Sequence, residues 1–287
     1  MQRICVIANI KRKPRLAPVL RDLLPWLRSI ATIVKVDKNG EADLSRVKAD
    51  LVLVFGGDGS ILSAARQLRG NPAPVFGVNL GNLGFLAETS FADLRQTLPW
   101  VLRGDYVLSP RMMLRARVEN RGRSHAQKAA HVREFIALND AVLLRQPKAA
   151  MISVDVRVSG EEVSCYMGDG LIVSTATGST GYNLAGGGPI LSERLKALIV
   201  TPICPHTLAN RPIVLSGDET VEICAETRNG SAVELIMDGQ ESYTLASGTL
   251  VKVSKAPYEF NLVTIGRKGR YEIIRDKLHW AGWVKER

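Results

Sequence analysis

The chain is poor in cysteine and has no long apolar run, and both shortages exclude classes of protein. Its four cysteines, Cys5, Cys165, Cys204 and Cys224, are scattered through 287 residues and form no Cys-x-x-Cys pair. Neither a zinc site nor a disulfide framework is expected, and the thiols are read as reduced and mostly buried. No apolar stretch reaches the roughly 18 residues that a bilayer demands. The run from Ile4 to Ile10 is too short for a secretory h-region and no small-residue cleavage site follows it. The sequence therefore reads as soluble and cytoplasmic, with no membrane partner. It also lacks internal repeats, low-complexity tracts and a Walker A loop, whose Gly-Lys-Ser/Thr is nowhere found after a glycine turn.

What is present suits a large core and an anionic partner. With 46% hydrophobic and 23% charged residues, a chain of 287 residues is expected to form two domains. Lysine and arginine outnumber acids by 38 − 28 = +10, which favours nucleotides, nucleic acid or acidic surfaces. Basic residues cluster at Lys11, Arg12, Lys13 and Arg15 and again from Arg111 to Arg133. A charge run is often a solvated face, but the first cluster follows a strand, where it can equally face a phosphate.

Over the first hundred residues, short β-rich runs alternate with longer amphipathic ones: Ile4 to Ala8, Leu16 to Ile30, Thr32 to Val36, Asp50 to Phe55, Ile61 to Leu68, Val75 to Val78 and Phe91 to Leu102. That rhythm predicts a parallel sheet flanked by helices. From about Tyr106 the period changes to two: Met112, Leu114, Ala116 and Val118 share one face, and Arg115 and Arg117 the other. Further strands are expected at Phe135 to Leu144, Ile152 to Val158, Glu162 to Met167, Leu171 to Ser174, Thr220 to Ala225, Val233 to Met237 and Thr249 to Val253. Ser159-Gly160 and Asn229-Gly230 are hairpin signals. The second part reads as a layered β domain. The last thirty residues, with Arg270, Lys277, Trp280 and Trp283, fit neither rhythm.

Chemistry concentrates in three places. The apolar strand Leu51 to Phe55 runs into Gly56-Gly57-Asp58-Gly59-Ser60, followed by a helix from Ile61 to Leu68. Glycines let backbone N–H groups approach a polyphosphate, a helix N-terminus favours anions, and Asp58 is placed as a base. The second place is Thr175-Ala176-Thr177-Gly178-Ser179-Thr180-Gly181-Tyr182-Asn183-Leu184 with Gly186-Gly187-Gly188-Pro189, rich in short donors and acceptors for ribose and phosphate. Tyr182 adds an aromatic face for a base. The third comprises polar interruptions of apolar runs, Asn139-Asp140 and Asp169-Gly170, which must be satisfied by protein or ligand. Asn139-Asp140 also reads as a strand end or bulge.

Taken in order, Gly56 to Ser60, Asn79-Leu80-Gly81-Asn82-Leu83-Gly84-Phe85-Leu86, Asn139-Asp140, Asp169-Gly170, Thr177 to Leu184 with Gly187-Gly188-Pro189, and Thr201-Pro202-Ile203-Cys204-Pro205-His206 resemble the bacterial NAD kinases over nearly the whole chain. The Gly-Gly-Asp-Gly turn is shared with diacylglycerol kinases and phosphofructokinases; the Thr-Gly-Ser-Thr-x-Tyr loop is the specific element. The resemblance implies a Rossmann-like α/β domain over 1–105, a β-sandwich domain over 106–260 holding the dinucleotide, and a segment 261–287 that returns to the first domain. It implies a homodimer or homotetramer that phosphorylates the adenosine ribose of NAD, with ATP as donor and Mg²⁺ or another divalent cation. The metal ligands are not assigned.

By the same resemblance, Gly56, Gly57 and Gly59 carry the donor's phosphates and Asp58 is the catalytic base. Asn139 and Asp140 hold ribose hydroxyls, and Asp169 and Thr177 contact base or amide groups. Thr180, Gly181, Tyr182, Asn183, Leu184 and Ala185 line the dinucleotide, Phe85 stacks on a ring, and Gln240 of Asp238-Gly239-Gln240 completes the site. His206 is read as structural. The chain departs from the family pattern at Asp140, Ala176, Gly181 and Met167, and Asp140 is shorter than the common Glu by roughly 1.5 Å. Asp58→Asn is expected to leave folding intact. Two other readings are a lipid kinase using the same glycine turn and a non-catalytic basic module for nucleic acid; the hydroxyl-rich Thr175 to Asn183 loop favours a sugar, and no nucleic-acid-binding signature is present.

Overall fold

The computed structural model describes residues 1–81, 84–119, 132–147, 149–207, 209–227, 230–266, 269–278 and 280. They fall into two units, one of residues 1–67, 71–109 and 261–287, the other of residues 68–70 and 110–260.

In the first unit, short branched runs with little polar alternation make three strands covered on both faces, Arg3–Ile7, Leu51–Phe55 and Val75–Asn79, beside a more exposed edge strand, Thr32–Asp37. Arg3–Ile7 (β1), Thr32–Asp37 (β2), Leu51–Phe55 (β3) and Val75–Asn79 (β4) lie parallel in the order β2-β1-β3-β4, and Thr89–Ser90 (β5) pairs in parallel with the last two residues of β4. Leu16–Ile30 (α1), Asp58–Leu68 (α2) and Leu94–Arg103 (α3) connect them. Helix α1 buries Leu16, Leu20, Leu23 and Leu27, a stripe at helical spacing. Those leucines join Leu53, Phe55, Phe76 and Leu98 in one core. Ile7 of β1 pairs with Val54 of β3, and Phe55 of β3 with Val78 of β4. The loops leaving the carboxyl ends of these three strands therefore share one edge of the sheet, where open parallel sheets bind ligands.

The second unit is built from Val107–Glu119 (β6), Val132–Ala137 (β7), Asp140–Arg145 (β8), Ile152–Val158 (β9), Glu161–Gly168 (β10), Gly170–Thr175 (β11), Ala197–Ile203 (β12), Ile213–Ser216 (β13), Val221–Glu226 (β14), Val233–Met237 (β15), Glu241–Leu245 (β16) and Leu250–Thr264 (β17). Strands β10-β9-β14-β17 form an antiparallel sheet continued by β6 and β7, and β13-β12-β11-β8-β15-β16 form a second. Alternate residues such as Leu114, Val156 and Ile223 from one sheet and Leu143, Val173 and Leu235 from the other make the core. A four-residue helix, Tyr182–Ala185 (α4), follows β11, and Arg270–Leu278 (α5) follows β17. The fold class is thus an α/β domain with a parallel sheet and an antiparallel β-sandwich.

Several details differ from the sequence pattern. The run from Phe135 to Leu144 is two strands, broken at Leu138-Asn139. Helix α2 starts at Asp58 rather than Ile61. Strand β12 has seven buried residues without alternation, so period-two reading passes over it. Strands β15 and β16 are joined by Asp238, Gly239 and Gln240, and Asp238 and Gly239, with φ 51° and 63°, are the positive-φ pair that closes the tight turn. Asn82, Leu83, Asn229, Trp283 and, of the second basic cluster, Arg121, Arg123 and Lys128 lie outside the described residues.

Leu53 is fully buried on the central strand β3. Leu53→Ala is expected to destabilise the protein by about 2–5 kcal/mol, read as a lower denaturant midpoint at unchanged slope.

Candidate active site

After β3 the chain turns at Gly56, whose φ of 147° is the only positive value among the three glycines of the turn. The conformational freedom expected of all three is thus used at one. Asp58 then opens α2, where the helix N-terminus favours its negative charge. Its Oδ2 accepts the Phe85 N–H at 2.8 Å and its Oδ1 accepts the Leu86 N–H at 3.0 Å. The donors come from the loop that follows β4, the strand beside β3. A Cβ on Gly84 would collide with the Asp58 carboxylate, so this backbone can approach only where residue 84 has no side chain. The two bonds fix the plane of the half-buried carboxylate and leave each oxygen a further lone pair.

A second carboxylate organises the sandwich unit. Asp238, at the β15–β16 turn, accepts the N–H of Leu138 at 3.1 Å, of Asn139 at 2.7 Å and of Asp140 at 3.3 Å. The break between β7 and β8 is held open by these bonds. Asn139 then presents an amide whose Oδ1 is buried without a partner, a group that a ligand donor would satisfy. Asp140 is pushed up to about 7, first by burial and then by the neighbouring Asp238 charge.

The hydroxyl-rich loop packs on the same break. Thr175 N–H donates to Asn139 O at 2.8 Å, and the Thr175 hydroxyl donates to Leu138 O at 2.7 Å while accepting the Gly178 N–H at 3.0 Å. Gly178–Thr180 is a single 3-10 turn leading into α4. Asn183 stabilises the loop itself: its Oδ1 accepts the Thr201 hydroxyl at 2.7 Å, and its Nδ2 donates to Ser179 O and Pro189 O, both at 3.1 Å. Tyr182 and Ala185 are exposed and Thr180, Gly181 and Leu184 half-buried, while Thr177 is 8% exposed.

The comparisons with known proteins decide among the kinase readings. Residues 28–106 match the model of the ATP-NAD kinase N-terminal domain and residues 138–265 that of the ATP-NAD kinase C-terminal domain. The chain is 39% identical to the NAD kinase of Syntrophotalea carbinolica and 36% identical to that of Geotalea daltonii, each over 98% of this chain and 99% of the relative. The chain belongs to the NAD kinase family. Among solved structures it is similar to an NAD kinase from Archaeoglobus fulgidus in complex with ATP, at 25% identity and TM-score 0.74 over 98% of this chain and 100% of that one. It shares its fold with yeast NADH kinase complexed with NADH, at TM-score 0.76 and 21% identity over 100% of this chain and 90% of that one. The lipid-kinase and nucleic-acid readings receive no support from these relatives.

Against the residues expected of an NAD kinase, the structure gathers Asn139, Asp140, Thr177, Gly181 and the Asp238-Gly239-Gln240 turn around one break in the sandwich unit. Asp169 stands apart. It precedes β11, whereas Asp140 pairs with Ser174 near the far end of that strand, so five residues at about 3.4 Å each separate the two ends, roughly 17 Å. The Asp169 carboxylate is paired with Arg145, its Oδ1 accepting the Arg145 Nε–H. Arg145 and the bonding role of Asp238 escaped the sequence reading, although an Asp-Gly pair between two strand runs is a turn signal that could have marked the position. His206 is exposed and its N–H donates to Met167 O at 2.8 Å. No group of three or more His, Cys, Asp or Glu is arranged for a metal among the described residues. A donor set of one carboxylate beside a glycine turn fits a Mg²⁺ carried mainly by nucleotide phosphates and water rather than by a protein cage.

Two outcomes follow from this geometry. Because the folded state keeps the Asp140 proton up to about pH 7 while an unfolded Asp releases it near 4, the folded state binds more protons between those values. Stability is therefore expected to fall as pH rises from about 4 to about 7, by on the order of a few kcal/mol from this group, and to level off above. Asp140→Asn should flatten that slope in melting temperature against pH. Gly84→Ala should displace the Asp58 carboxylate and lower turnover by about a hundredfold, as misplacement of a reacting group does, while far-ultraviolet circular dichroism stays native.

Proposed function

We propose that this chain transfers the terminal phosphoryl group of ATP to the 2′-hydroxyl of the adenosine ribose of NAD, giving NADP, with Asp58 as the general base. The observation that carries this reading is the Asp58 carboxylate held by two backbone N–H groups beside the glycine turn. Backbone N–H groups of Gly56, Gly57 and Gly59 receive the donor's phosphates. A divalent cation bound with the nucleotide neutralises phosphate charge. Asp58 takes the proton of the 2′-hydroxyl as its oxygen bonds to phosphorus, the bond to the bridging oxygen breaks, and ADP leaves with the electron pair. Alignment supplies most of the rate, and the base about 10²- to 10⁴-fold.

On this reading the unpartnered Asn139 Oδ1 accepts a ribose hydroxyl, with Asp140 holding another. Asp169 and Thr177 meet base or amide groups, and Thr180, Gly181, Tyr182, Leu184 and Ala185 line the dinucleotide. Asn183 contributes by holding that loop, since its amide already serves three internal partners. Phe85 offers a ring for stacking and Gln240 closes the set. The enzyme works in the cytoplasm as a homodimer or homotetramer, and small nucleotides are its partners. No helix among the described residues is long and apolar enough to cross a membrane.

The test is NADP formation from NAD and MgATP by wild type and Asp58→Asn, with diacylglycerol as a rival acceptor. Asp58→Asn is expected to lose about 10²- to 10⁴-fold in kcat. An Asn keeps only one oxygen for two N–H donors, so a stability loss of about 1–3 kcal/mol should accompany it, against the intact folding expected from sequence. Near-native NADP formation by the folded variant overturns the assignment.

A further inference from the structure

The loop that follows β1 brings a cation to the glycine turn. A Cβ built on Gly56 would stand 3.3 Å from the Lys13 Nζ and would collide with the Ser60 hydroxyl, so ammonium and hydroxyl border the same spot at the head of α2. Lys13 is half-buried, and its loop is an ordered turn: Lys13 N–H donates to Asn9 O at 3.1 Å and Lys13 O accepts the Leu16 N–H at 2.9 Å. The four cations of this segment are not equivalent. Lys11 points to Glu41 in an exposed ion pair of 3.1 Å, whereas no carboxylate pairs with Lys13 among the described residues. The strand order explains the placement, because β1 and β3 are neighbours and both loops leave their carboxyl ends. An unpaired ammonium against a turn of bare backbone raises the local positive potential where an anion would sit.

We propose that Lys13 is a catalytic residue that binds the terminal phosphates of the nucleotide donor at Gly56 and stabilises the charge on the transferring group. The inference rests on the kinase reading above and adds a residue to it. A lysine acts here as a movable point charge, able to follow the phosphoryl group as it shifts from donor to acceptor oxygen. Ser60, facing the same spot, supplies a hydroxyl that can donate to the same phosphates.

The experiment compares wild type, Lys13→Met, Lys13→Gln and Lys13→Arg, with Lys11→Met as the control for net charge. Two quantities are read: MgATP binding by calorimetry and NADP formation at varied ATP and NAD. For Lys13→Met and Lys13→Gln we expect about tenfold or greater weakening of MgATP binding and a similar or larger loss of kcat/KM for ATP. The KM for NAD and the melting temperature should stay near wild type, Lys13→Arg should recover part of the loss, and Lys11→Met should behave as wild type. MgATP binding and kcat/KM for ATP unchanged in both neutral variants, or an equal loss in Lys11→Met, overturns the proposal. A wild type that makes no NADP would remove the kinase reading, while its MgATP affinity against that of Lys13→Met would still decide the role of Lys13.

Discussion

The clasp of two backbone N–H groups on the Asp58 carboxylate is the constraint to which the first unit is built. A carboxylate on a loop rotates freely unless something fixes its plane, and a base that rotates is aligned only part of the time. Here the fixing groups belong to backbone, which has no rotamers to lose. The arrangement requires strands β3 and β4 to be parallel neighbours, so that Gly56 to Asp58 and Gly84 to Leu86 leave the same edge of the sheet. It also requires Gly84, because any side chain there occupies the volume of the carboxylate. Glu88 anchors the far end of that segment: its Oε1 accepts the Thr264 hydroxyl at 2.9 Å and the N–H groups of Ile265 at 2.8 Å and Gly266 at 3.1 Å. The Asp58 carboxylate is thus fixed by backbone donors from a segment that the Glu88 side chain anchors in turn.

The sandwich unit solves a similar problem with the roles reversed. In the first unit backbone donors hold the carboxylate proposed as the base; in the second, the Asp238 carboxylate holds the backbone donors that present Asn139 and Asp140. Three N–H groups match the charge of Asp238. Asp140, buried beside it, has no such compensation, and two neighbouring negative charges in a low-dielectric site repel strongly. One of the pair keeps a proton near neutrality, and desolvation together with the Asp238 charge assigns it to Asp140.

Local order was legible in the sequence where it depends on neighbours along the chain. The alternation of strands and helices to Leu102 and the period-two pattern of Met112 to Val118 arise from burial of one face or both, which leaves a periodic trace. The glycine turn and the Thr177 to Leu184 loop were legible because their residue types are rare in regular elements. What escaped depends on distance through the chain. Asp238 meets Asn139 across 99 positions and Asp58 meets Phe85 across 27, and nothing local in either partner signals the other. Strand β12 was missed for a different reason: buried on both faces, Ala197 to Ile203 has only the one polar residue Thr201 and so no period, and Pro202 argues against a strand.

The exchange of the common Glu for Asp140 follows the same physics. A Glu would set its carboxyl about 1.5 Å further from the backbone. The shorter Asp140 lies within the buried break, 4% exposed, and holds its proton up to about pH 7. A protonated carboxyl has an O–H donor as well as a carbonyl acceptor, while an ionised one only accepts. A ribose hydroxyl both donates and accepts, so it can pair with either form by reversing the direction of the bond. On the proposed reading, the loss of a methylene at this position therefore changes which group donates without removing the ribose hydroxyl as a partner.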